Sequence, residues 1–355
     1  MIVVTDFKIY ACGPDAPIRN VLERIDHTRY LFQVVIDDAG KLCGTITDGD
    51  IRRAMLHGIG LDAPARQCMQ TKPVIGRTGE DAANFEKLRR TGSSRAFLPV
   101  VDNEGALREI HVAEEKQNSN IGAALVMAGG AGTRLGERTR NTPKPLLPVG
   151  GRPILDHVLE RLETSGVATI LVSVHYLSEK IEDFLKERKS RTDIRVVHES
   201  KRLGTAGAVG NIGTYAAAGP LLVINGDVLT QVDYAALHEF HVRHGLDATV
   251  GVARHEVDIP FGVVRYGEDG LFAGIEEKPR FTNFIAAGVY YLSPSMTALV
   301  PKEQPMDMPE LLNLGRSIGL KIGVFPIHEY WTDVGRPDDL QKADDVHRLM
   351  NQSAK

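Results

Sequence analysis

Residues 121–355 alternate between apolar runs and amphipathic stretches, and this alternation constrains the fold more than any other feature. Buried strands are predicted for the runs AALVM (123–127), ATILVSV (168–174) and PLLVIN (220–225). A helix with one apolar face is predicted where the chain reads ILDHVLERLET, with Ile154, Leu155, Val158, Leu159 and Leu162 on that face. We therefore expect an α/β fold, a mainly parallel sheet covered by helices on both faces. Ligands of such sheets bind at the carboxyl ends of the strands.

A polar stretch, AEEKQNSN (113–120), separates this region from the N-terminal part and predicts a linker. A chain of 355 residues exceeds one average domain, so we place two domains at 1–116 and 121–355. The N-terminal part contains two similar stretches, VIDDAG (35–40) and VVDNEG (100–105). Each lies at the turn of a helix–strand–turn–strand pattern. The pattern predicts a small α+β domain with an internal duplication.

The composition argues against several classes of protein. The net charge is −4, which disfavours nucleic-acid binding by phosphate neutralisation. No apolar run approaches 18 residues, and the first residues lack the pattern of a secretory signal. Three cysteines, Cys12, Cys43 and Cys68, lie far apart and fit a reducing compartment. We expect a cytoplasmic protein with no nucleic-acid or membrane partner.

A glycine-rich loop follows the first strand of the C-terminal part, and its spacing limits which phosphate it can hold. No Gly-Lys-Ser/Thr follows, which excludes the Walker A pattern. Gly130, Gly132 and Gly136 give a spacing one residue longer than the dinucleotide motif. The glycines allow backbone N–H groups to approach phosphate closely. Arg134 and Lys144, the latter between two prolines, add two cations. This set suits a triphosphate and a departing pyrophosphate.

The stretch GGAGTRLGERTRNTPKPLLPVGGRPIL (129–155) resembles the signature of the sugar-1-phosphate nucleotidyltransferases. Further matches follow in register: ESKRLGTAGAV (199–209), NGDVLT (225–230), PFGVV (260–264), EEKP (276–279), AAGVYYLSP (286–294) and WTDVGRPDDLQKA (331–343). The resemblance covers roughly residues 121–343 and implies a Rossmann-like domain. It also implies the reaction: a sugar phosphate attacks a nucleoside triphosphate, which gives a nucleotide sugar and pyrophosphate.

Catalytic roles follow from the same resemblance. Asp227 and Asp333 are expected to hold Mg²⁺, because hard carboxylate oxygens suit this ion. Arg134 is expected to bind the outgoing phosphates, Lys144 to bridge both substrates, and Lys278 to hold the sugar phosphate. The alternative for each of these residues is a turn, cap or surface position.

Binding residues are implied in the same way. The nucleotide is assigned to Leu125, Ala128, Gly129, Gly130, Gly132, Thr133, Glu199, Gly204 and Thr205. A tight turn with Thr205 as a helix N-cap is the alternative for the last two. The sugar is assigned to Asn225, Gly262, Glu277, Lys278 and Gly288. Ala286 stands where the family has asparagine, so the identity of the sugar stays open.

The N-terminal duplication resembles a pair of CBS modules, through GTITDGDIRRA (44–54) in its first half. The resemblance implies a regulatory nucleotide at Thr47 and Asp50, with helix capping as the alternative. The second half lacks the Thr-x-x-Asp pattern. CBS pairs also imply a homodimer.

Together these features favour a guanylyltransferase that acts on a hexosamine or mannose-type 1-phosphate. GDP-glucosamine for legionaminic acid, a precursor of surface glycans, is one such product. A uridylyltransferase or another nucleotidyltransferase with a different sugar 1-phosphate remains an alternative. A non-catalytic, nucleotide-sensing regulatory protein is the alternative from a different class.

Three histidines, His238, His241 and His244, recur every third residue on a predicted helix. Their spacing differs from the H-E-x-x-H zinc motif. We interpret them as a packed or solvated face of the helix.

Overall fold

The computed structural model describes residues 1–28, 30–90, 96–113, 121–130 and 132–353. It divides into two compact units, Met1–Asn118 and Ser119–Lys355. Except for Ala113, the predicted linker lies outside the described residues. Among the helices of the described ranges, none is long and apolar enough to cross a membrane.

The N-terminal unit contains two small sheets and three α-helices within its described residues. Its elements are β1 (Ile2–Val4), β2 (Ala11–Cys12), α1 (Ile18–His27), β3 (Phe32–Ile36), β4 (Leu42–Thr47), α2 (Asp48–Leu56), β5 (Gly76–Arg77), α3 (Asp81–Arg90), β6 (Phe97–Val101) and β7 (Leu107–Val112). The strand orders are β2-β3-β4 and β1-β7-β6-β5. The order β2, α1, β3, β4 is therefore repeated as β5, α3, β6, β7, with parallel and antiparallel pairs at the same places.

The two halves also repeat their turns in detail. An aspartate carboxylate accepts two backbone N–H groups in each turn, those of Ala39 and Lys41 at Asp37, and those of Glu104 and Ala106 at Asp102. The rings of Phe32 and Phe97, at equivalent positions, stack with centroids 3.8 Å apart. The predicted duplication is thus confirmed, and the two halves meet at these aromatic rings.

The C-terminal unit is built around one large sheet. Its first elements are β8 (Ala123–Met127), β9 (Pro148–Val149), β10 (Arg152–Pro153), α4 (Ile154–Thr164), β11 (Thr169–Val174), α5 (Ser178–Glu187), β12 (Asp193–His198), α6 (Gly204–Gly207), α7 (Tyr215–Ala218), β13 (Leu221–Asn225), β14 (Val228–Thr230) and α8 (Tyr234–Arg243). The remaining elements are β15 (Ala248–Asp258), β16 (Val263–Tyr266), β17 (Phe272–Glu276), β18 (Arg280–Leu292), α9 (Pro294–Thr297), α10 (Met308–Ser317), β19 (Ile322–Ile327), β20 (Trp331–Asp333) and α11 (Pro337–Ser353).

Seven strands form this sheet in the order β12-β11-β8-β13-β18-β15-β19. The pairs from β12 to β13 are parallel, the two pairs that involve β18 are antiparallel, and β15 pairs with β19 in parallel. The expected mainly parallel α/β sheet is confirmed. Because β8, β11, β12 and β13 run in the same direction, their carboxyl ends lie at one edge of the sheet.

Alternate residues of the strands enter two separate apolar cores, one on each face of the sheet. Ala124 and Val126 of β8 enter the core that contains α4, whereas Ala123 and Leu125 enter the core that contains Leu311 of α10. All five apolar residues predicted for the face of α4 are buried. Each buried aliphatic side chain of this kind stabilises the fold by about 1.5–3 kcal/mol. Both faces of the sheet are therefore covered by helices, as the alternation of the sequence predicts.

Candidate active site

The loops at the carboxyl edge of the sheet carry most of the predicted site residues. The glycine-rich loop follows β8, Glu199 follows β12, and Asp227 follows β13. Gly226 is held against the end of β8, because its N–H donates to Met127 O at 2.9 Å. The end of β13 and the start of the glycine-rich loop are therefore adjacent.

A short ladder between β14 and β20 brings two aspartates together from positions that lie far apart in the chain. Val228 pairs with Asp333 in this ladder, and Val334 N–H donates to Asp227 O at 3.1 Å. The two carboxylates share one cation: Lys144 Nζ lies 2.5 Å from Asp227 Oδ2 and 3.7 Å from Asp333 Oδ1. Lys144 itself is buried. The structure thus brings together three of the five predicted catalytic residues.

The environment of Asp333 disfavours its negative charge. Burial, followed by the nearby Asp227 carboxylate, raises the pKa of Asp333, although Lys144 and Arg134 act in the opposite direction. Its Oδ1 atom is buried and accepts no hydrogen bond from the residues that the structure describes. A buried acceptor without a donor is costly, and a bound cation would satisfy it.

The donor set fits a hard divalent cation. Two carboxylates and one ammonium leave a net negative charge, and carboxylate oxygens are preferred by Mg²⁺. Lys144 occupies the position of a counter-ion between the two carboxylates. Arg134, exposed on the loop, lies close enough to lower the pKa of Asp333. A site for polyphosphate and metal is consistent with this arrangement.

The glycine-rich loop packs directly on the lysine. Gly132 has φ = 61°, a conformation that favours glycine. A Cβ atom on it would lie 2.9 Å from both Lys144 Cβ and Thr139 Cγ2. The Thr139 hydroxyl donates to Gly132 O and Gly136 O at 3.0 and 3.1 Å, which closes the loop. The sequence does not predict this role of Thr139, because nothing in the residues around it indicates the contact.

Glu199 connects the glycine-rich loop to the segment that follows β12. Its buried carboxylate accepts hydrogen bonds from the Ser173 hydroxyl and, at 3.2 Å, from Leu203 N–H. A Cβ on Gly129 would lie 3.0 Å from Glu199 Oε1. Ser173, whose role the sequence does not predict either, is the strand-end partner that fixes this carboxylate.

Gly204 and Thr205 form a turn whose contacts are largely structural. Gly204 has φ = 78°. Thr205 lies in the first turn of α6, whose N-cap residue is Leu203, so the alternative of Thr205 as the N-cap of this helix does not hold. The Thr205 hydroxyl accepts instead from Met308 N–H at 2.8 Å, at the start of α10.

Two of the predicted sugar residues are adjacent. A Cβ on Gly288, which has φ = 69°, would lie 2.7 Å from Asn225 Nδ2. The pairing of β15 with β18 shifts register here, between Val250 and Val252. Trp331 Nε1 donates to Ala287 O at 2.7 Å within this irregularity. Bulges of this kind commonly re-aim side chains next to active sites.

The other residues predicted for the sugar site, Gly262, Glu277 and Lys278, flank the β16–β17 hairpin. Glu277 and Lys278 are exposed, and a Cβ on Gly262 would lie 2.9 Å from Glu277 Oε2. Lys278 has φ = 48°, and its N–H donates to Phe261 O at 3.2 Å. A non-glycine residue in this conformation carries backbone strain, which tends to occur at binding sites.

The other predicted nucleotide residues differ in exposure. Leu125 and Ala128 are buried, whereas Gly130 and Thr133 are exposed at the sheet edge. Leu125 therefore lies beneath the loop, in the core that also contains Ala206. The roles of the individual residues stay predictions.

In the N-terminal unit, Thr47 and Asp50 form a reciprocal capping box at the start of α2. Asp50 N–H donates to Thr47 Oγ1 at 3.3 Å, and Thr47 N–H donates to Asp50 Oδ2 at 2.8 Å. Arg53 also pairs with Asp50, at 2.5 Å. Both residues thus have helix-capping contacts, the alternative that the sequence leaves open.

The three histidines of α8 take part in packing and local hydrogen bonds. His241 is buried and contacts Thr249 Oγ1 at 2.9 Å and Ser293 Oγ at 2.8 Å. His238 contacts the Tyr291 hydroxyl at 2.8 Å, and His244 contacts Phe240 O. Among the described residues, no group of three or more His, Cys, Asp or Glu side chains could hold a metal ion.

Comparison with known families agrees with this geometry. Residues 123–348 match the nucleotidyl transferase family, and this chain belongs to that family. Residues 4–57 match the CBS domain, which corresponds to the first half of the duplication.

Several guanylyltransferases are among the relatives of this chain. It is 33% identical over 222 residues to the mannose-1-phosphate guanylyltransferase catalytic subunit beta of Drosophila melanogaster, which covers 61% of this chain and 60% of that protein. It is 33% identical over 225 residues to a probable mannose-1-phosphate guanylyltransferase 1 of Oryza sativa subsp. japonica, with 61% and 62% covered. The chain thus spans about three fifths of the length of these relatives.

Among solved structures, HddC from Yersinia pseudotuberculosis complexed with GMP-PN is similar at a TM-score of 0.51 and 28% identity. The match covers 63% of this chain and 99% of that chain. A putative glucose-1-phosphate thymidylyltransferase from Bacillus anthracis shares the fold, with a TM-score of 0.51 and 24% identity.

Proposed function

We propose that this chain transfers the nucleoside monophosphate of GTP to a sugar 1-phosphate and releases pyrophosphate. One observation carries the proposal: Lys144 lies between the Asp227 and Asp333 carboxylates beside a glycine-rich loop. The membership of the nucleotidyl transferase family supports the same class of reaction.

The choice of substrates rests on the relatives. Their names specify mannose 1-phosphate and guanylyl transfer, and a similar structure is titled as a complex with GMP-PN. GTP is therefore the first donor to test, with mannose 1-phosphate and glucosamine 1-phosphate as acceptors. Glucosamine 1-phosphate would give GDP-glucosamine, a precursor for legionaminic acid. We expect the reaction to take place in the cytoplasm.

The reaction is an in-line displacement at the α-phosphorus of GTP. A phosphate oxygen of the sugar 1-phosphate forms the new P–O bond while the bond to the β-phosphate oxygen breaks. The electron pair of that bond leaves with pyrophosphate. The attacking oxygen is already anionic, so no protein nucleophile is needed, and catalysis depends on positioning and on charge neutralisation.

The residues of the chain have separate tasks in this step. Backbone N–H groups of the glycine-rich loop and the Arg134 guanidinium would bind the β- and γ-phosphates. Lys144 would neutralise charge between the two substrates, and Lys278 would hold the sugar phosphate. Asp227 and Asp333 would hold Mg²⁺, which supplies Lewis-acid stabilisation of the phosphate charge. Asn225, Gly262, Glu277 and Gly288 would form the sugar site.

A pyrophosphate-release assay tests this function. Purified protein is incubated with Mg²⁺, one of GTP, ATP, UTP, CTP or dTTP, and one of a panel of sugar 1-phosphates. We expect release to require both a nucleotide and a sugar phosphate and to be fastest with GTP. A different preferred base would place the chain among the alternative nucleotidyltransferases. If no combination of nucleotide and sugar 1-phosphate releases pyrophosphate, the proposed enzymatic function is wrong, and a non-catalytic regulatory protein is favoured.

We also propose that a nucleotide bound to the N-terminal unit regulates the chain, and that the protein is a homodimer. The CBS match and the duplicated fold of this unit support the proposal. Thr47 and Asp50 would contact that nucleotide, although each already caps α2. Titration calorimetry with AMP, ADP and ATP tests the binding, and sedimentation velocity tests the dimer. Unchanged heats in Asp50→Ala would remove Asp50 from the nucleotide site.

A further inference from the structure

Three glycines of the segment 204–210 pack against a single stretch that lies about a hundred residues later in the chain. Gly204, Gly207 and Gly210 recur every third residue. A Cβ on any of them would lie closer than real Cβ atoms approach a neighbour: 2.6 Å from Asp307 Oδ1 for Gly204, 2.9 Å from Gln304 O for Gly207 and 2.6 Å from Pro301 O for Gly210. The segment 204–210 contains Gly204 and Thr205, two residues that the resemblance assigns to the nucleotide. It is therefore shaped by residues 301–307, which we call the backing segment.

Backbone hydrogen bonds join the same two stretches. Ala206 N–H and Gly207 N–H both donate to Met306 O, at 2.9 and 3.1 Å, and Met306 N–H donates to Leu203 O at 2.8 Å. These bonds fix the backbone of the turn, but they depend on no particular side chain of the backing segment.

Asp307 supplies the side-chain contact. Its Oδ1 accepts from Thr205 N–H at 2.9 Å and from the Thr205 hydroxyl at 3.2 Å. Asp307 is also the N-cap residue of α10, yet its carboxylate makes no capping hydrogen bond to that helix. Thr205 Oγ1 accepts from Met308 N–H in its place. The carboxylate is thus directed towards the turn, at the expense of the usual local contact of an N-cap aspartate.

We propose that Asp307 is a positioning residue that holds the turn at Gly204 and Thr205 in the conformation that receives the nucleotide base. The proposal rests on the proposed function, because it takes this turn as part of the nucleotide site. A hydrogen bond from a backbone N–H to a carboxylate is stronger than a neutral one. A turn held in its binding conformation loses less conformational freedom when the ligand binds. Asp307 therefore sets nucleotide affinity and base discrimination, whereas the chemical step is left to the residues around Lys144.

Titration of the full chain with GTP and Mg²⁺, without sugar phosphate, tests the proposal in the absence of turnover. We expect Asp307→Ala to weaken GTP binding about 10-fold and to reduce the preference for GTP over ATP. Its KM for GTP should rise similarly, with kcat within about twofold. Asp307→Asn keeps an accepting oxygen and should bind GTP within about threefold of the wild type.

Asn211→Ala is the matched control. Asn211 Nδ2 donates to Glu303 Oε1 at 2.6 Å, and Glu303 N–H donates to Asn211 Oδ1 at 3.1 Å. Asn211 directly follows the segment 204–210, so this pair joins the end of that segment to the backing segment without contact to Thr205. This variant should lose stability and keep its GTP affinity. Equal weakening of GTP binding by Asn211→Ala and Asp307→Ala would overturn the specific role of Asp307. Wild-type affinity in a folded Asp307→Ala protein would overturn it as well.

Three further outcomes also decide between the proposals. If Asp307→Ala does not fold, Asp307→Glu, which moves the carboxylate by one methylene, replaces it: weaker GTP binding supports the proposal and unchanged binding overturns it. If the wild type binds GTP without any turnover, the proposed function fails while the positioning role is still tested by binding. A wild type that binds no nucleoside triphosphate overturns both.

Discussion

At the scale of single residues, the site is organised by one buried ammonium between two carboxylates. Lys144 lies 2.5 Å from Asp227 and 3.7 Å from Asp333. Burial makes each charge dependent on the others, because their interaction is screened less than it would be in water. Replacement of any one of these three residues should therefore change the electrostatic environment of the other two. The expected consequences differ between the lysine and the aspartates.

Replacement of Asp227 by asparagine should severely reduce turnover and leave the fold intact. The substitution keeps the shape of the side chain but removes a charge expected to hold the metal. Replacement of a residue that hydrogen-bonds a metal ligand typically lowers metal affinity or activity about 10–100-fold. Loss of a ligand itself should therefore lower kcat by about 100-fold or more. Asp193→Asn, at the amino end of β12 and hence at the opposite edge of the sheet, is the matched control. Near-normal kcat in Asp227→Asn would remove this residue from the metal site.

Replacement of Lys144 by methionine should make the stability of the protein depend on Mg²⁺. The two aspartates would then lose their shared cation, and a broken, partly exposed ion pair of this kind costs about 1–3 kcal/mol. We expect the melting temperature in EDTA to fall by several degrees, with Mg²⁺ restoring most of the loss. Lys186→Met, which removes an exposed lysine that pairs with Asp183, is the control. Equal Mg²⁺ responses in Lys144→Met and wild type would contradict the shared-cation arrangement.

The sequence predicted part of this site. Asp227 lies two residues after the apolar run that forms β13, so its place at a strand end could be inferred from local pattern. Ser173 and Thr139 could not be inferred, because their partners, Glu199 and Gly132, approach them only after the sheet and loop have formed. Local pattern places a residue on an element, whereas such contacts between elements depend on the complete tertiary structure.

At the scale of elements, helix ends and strand irregularities decide where side chains point. The reciprocal capping box of Thr47 and Asp50 begins α2. The register shift between β15 and β18 positions Gly288 beside Asn225. The first feature follows a known sequence pattern. The second does not, because the alternation of apolar residues along β18 gives no sign of the two extra residues that this strand has in the ladder, three between Ala286 and Tyr290 against one between Val250 and Val252.

The capping box gives a test at this scale. Thr47→Val removes the hydroxyl that accepts from Asp50 N–H and should lower the free energy of unfolding by about 1 kcal/mol. Thr47→Ser keeps that hydroxyl and should lower the free energy of unfolding by only a few tenths of a kcal/mol. Urea denaturation followed by circular dichroism measures both. Equal losses in the two variants would show that the hydroxyl does not stabilise α2.

At the scale of the whole molecule, the alternation of strands and helices was sufficient to predict the parallel part of the sheet and its covering helices. It did not predict the antiparallel position of β18 between β13 and β15. Periodicity reports which faces of an element are buried, and it carries no information on strand direction or order. The contacts between residues 204–210 and 301–307 could not be predicted either, because periodicity does not indicate which distant segments of the chain meet.

His241, which is buried on α8, should make the stability of the chain depend on pH. Burial, then the nearby His238, lowers the pKa of His241 to about 4, with Asp247 acting in the opposite direction. The unfolded chain therefore binds more protons between pH 6.5 and 4, and stability should fall as the pH falls through this range. The shift corresponds to about 3 kcal/mol. His241→Gln cannot titrate and should lose less stability over the same range. Parallel losses in both proteins, measured by urea unfolding at pH 7, 5.5 and 4.5, would contradict a neutral buried His241.

The most direct measurement of the central claim is ³¹P NMR of a reaction that contains GTP, mannose 1-phosphate or glucosamine 1-phosphate, Mg²⁺ and the protein. Attack at the α-phosphorus predicts two coupled resonances of a GDP-sugar together with free pyrophosphate, and neither signal with Asp227→Asn. Release of inorganic phosphate with GDP, or of GMP with pyrophosphate and an unchanged sugar phosphate, would contradict nucleotidyl transfer to the sugar.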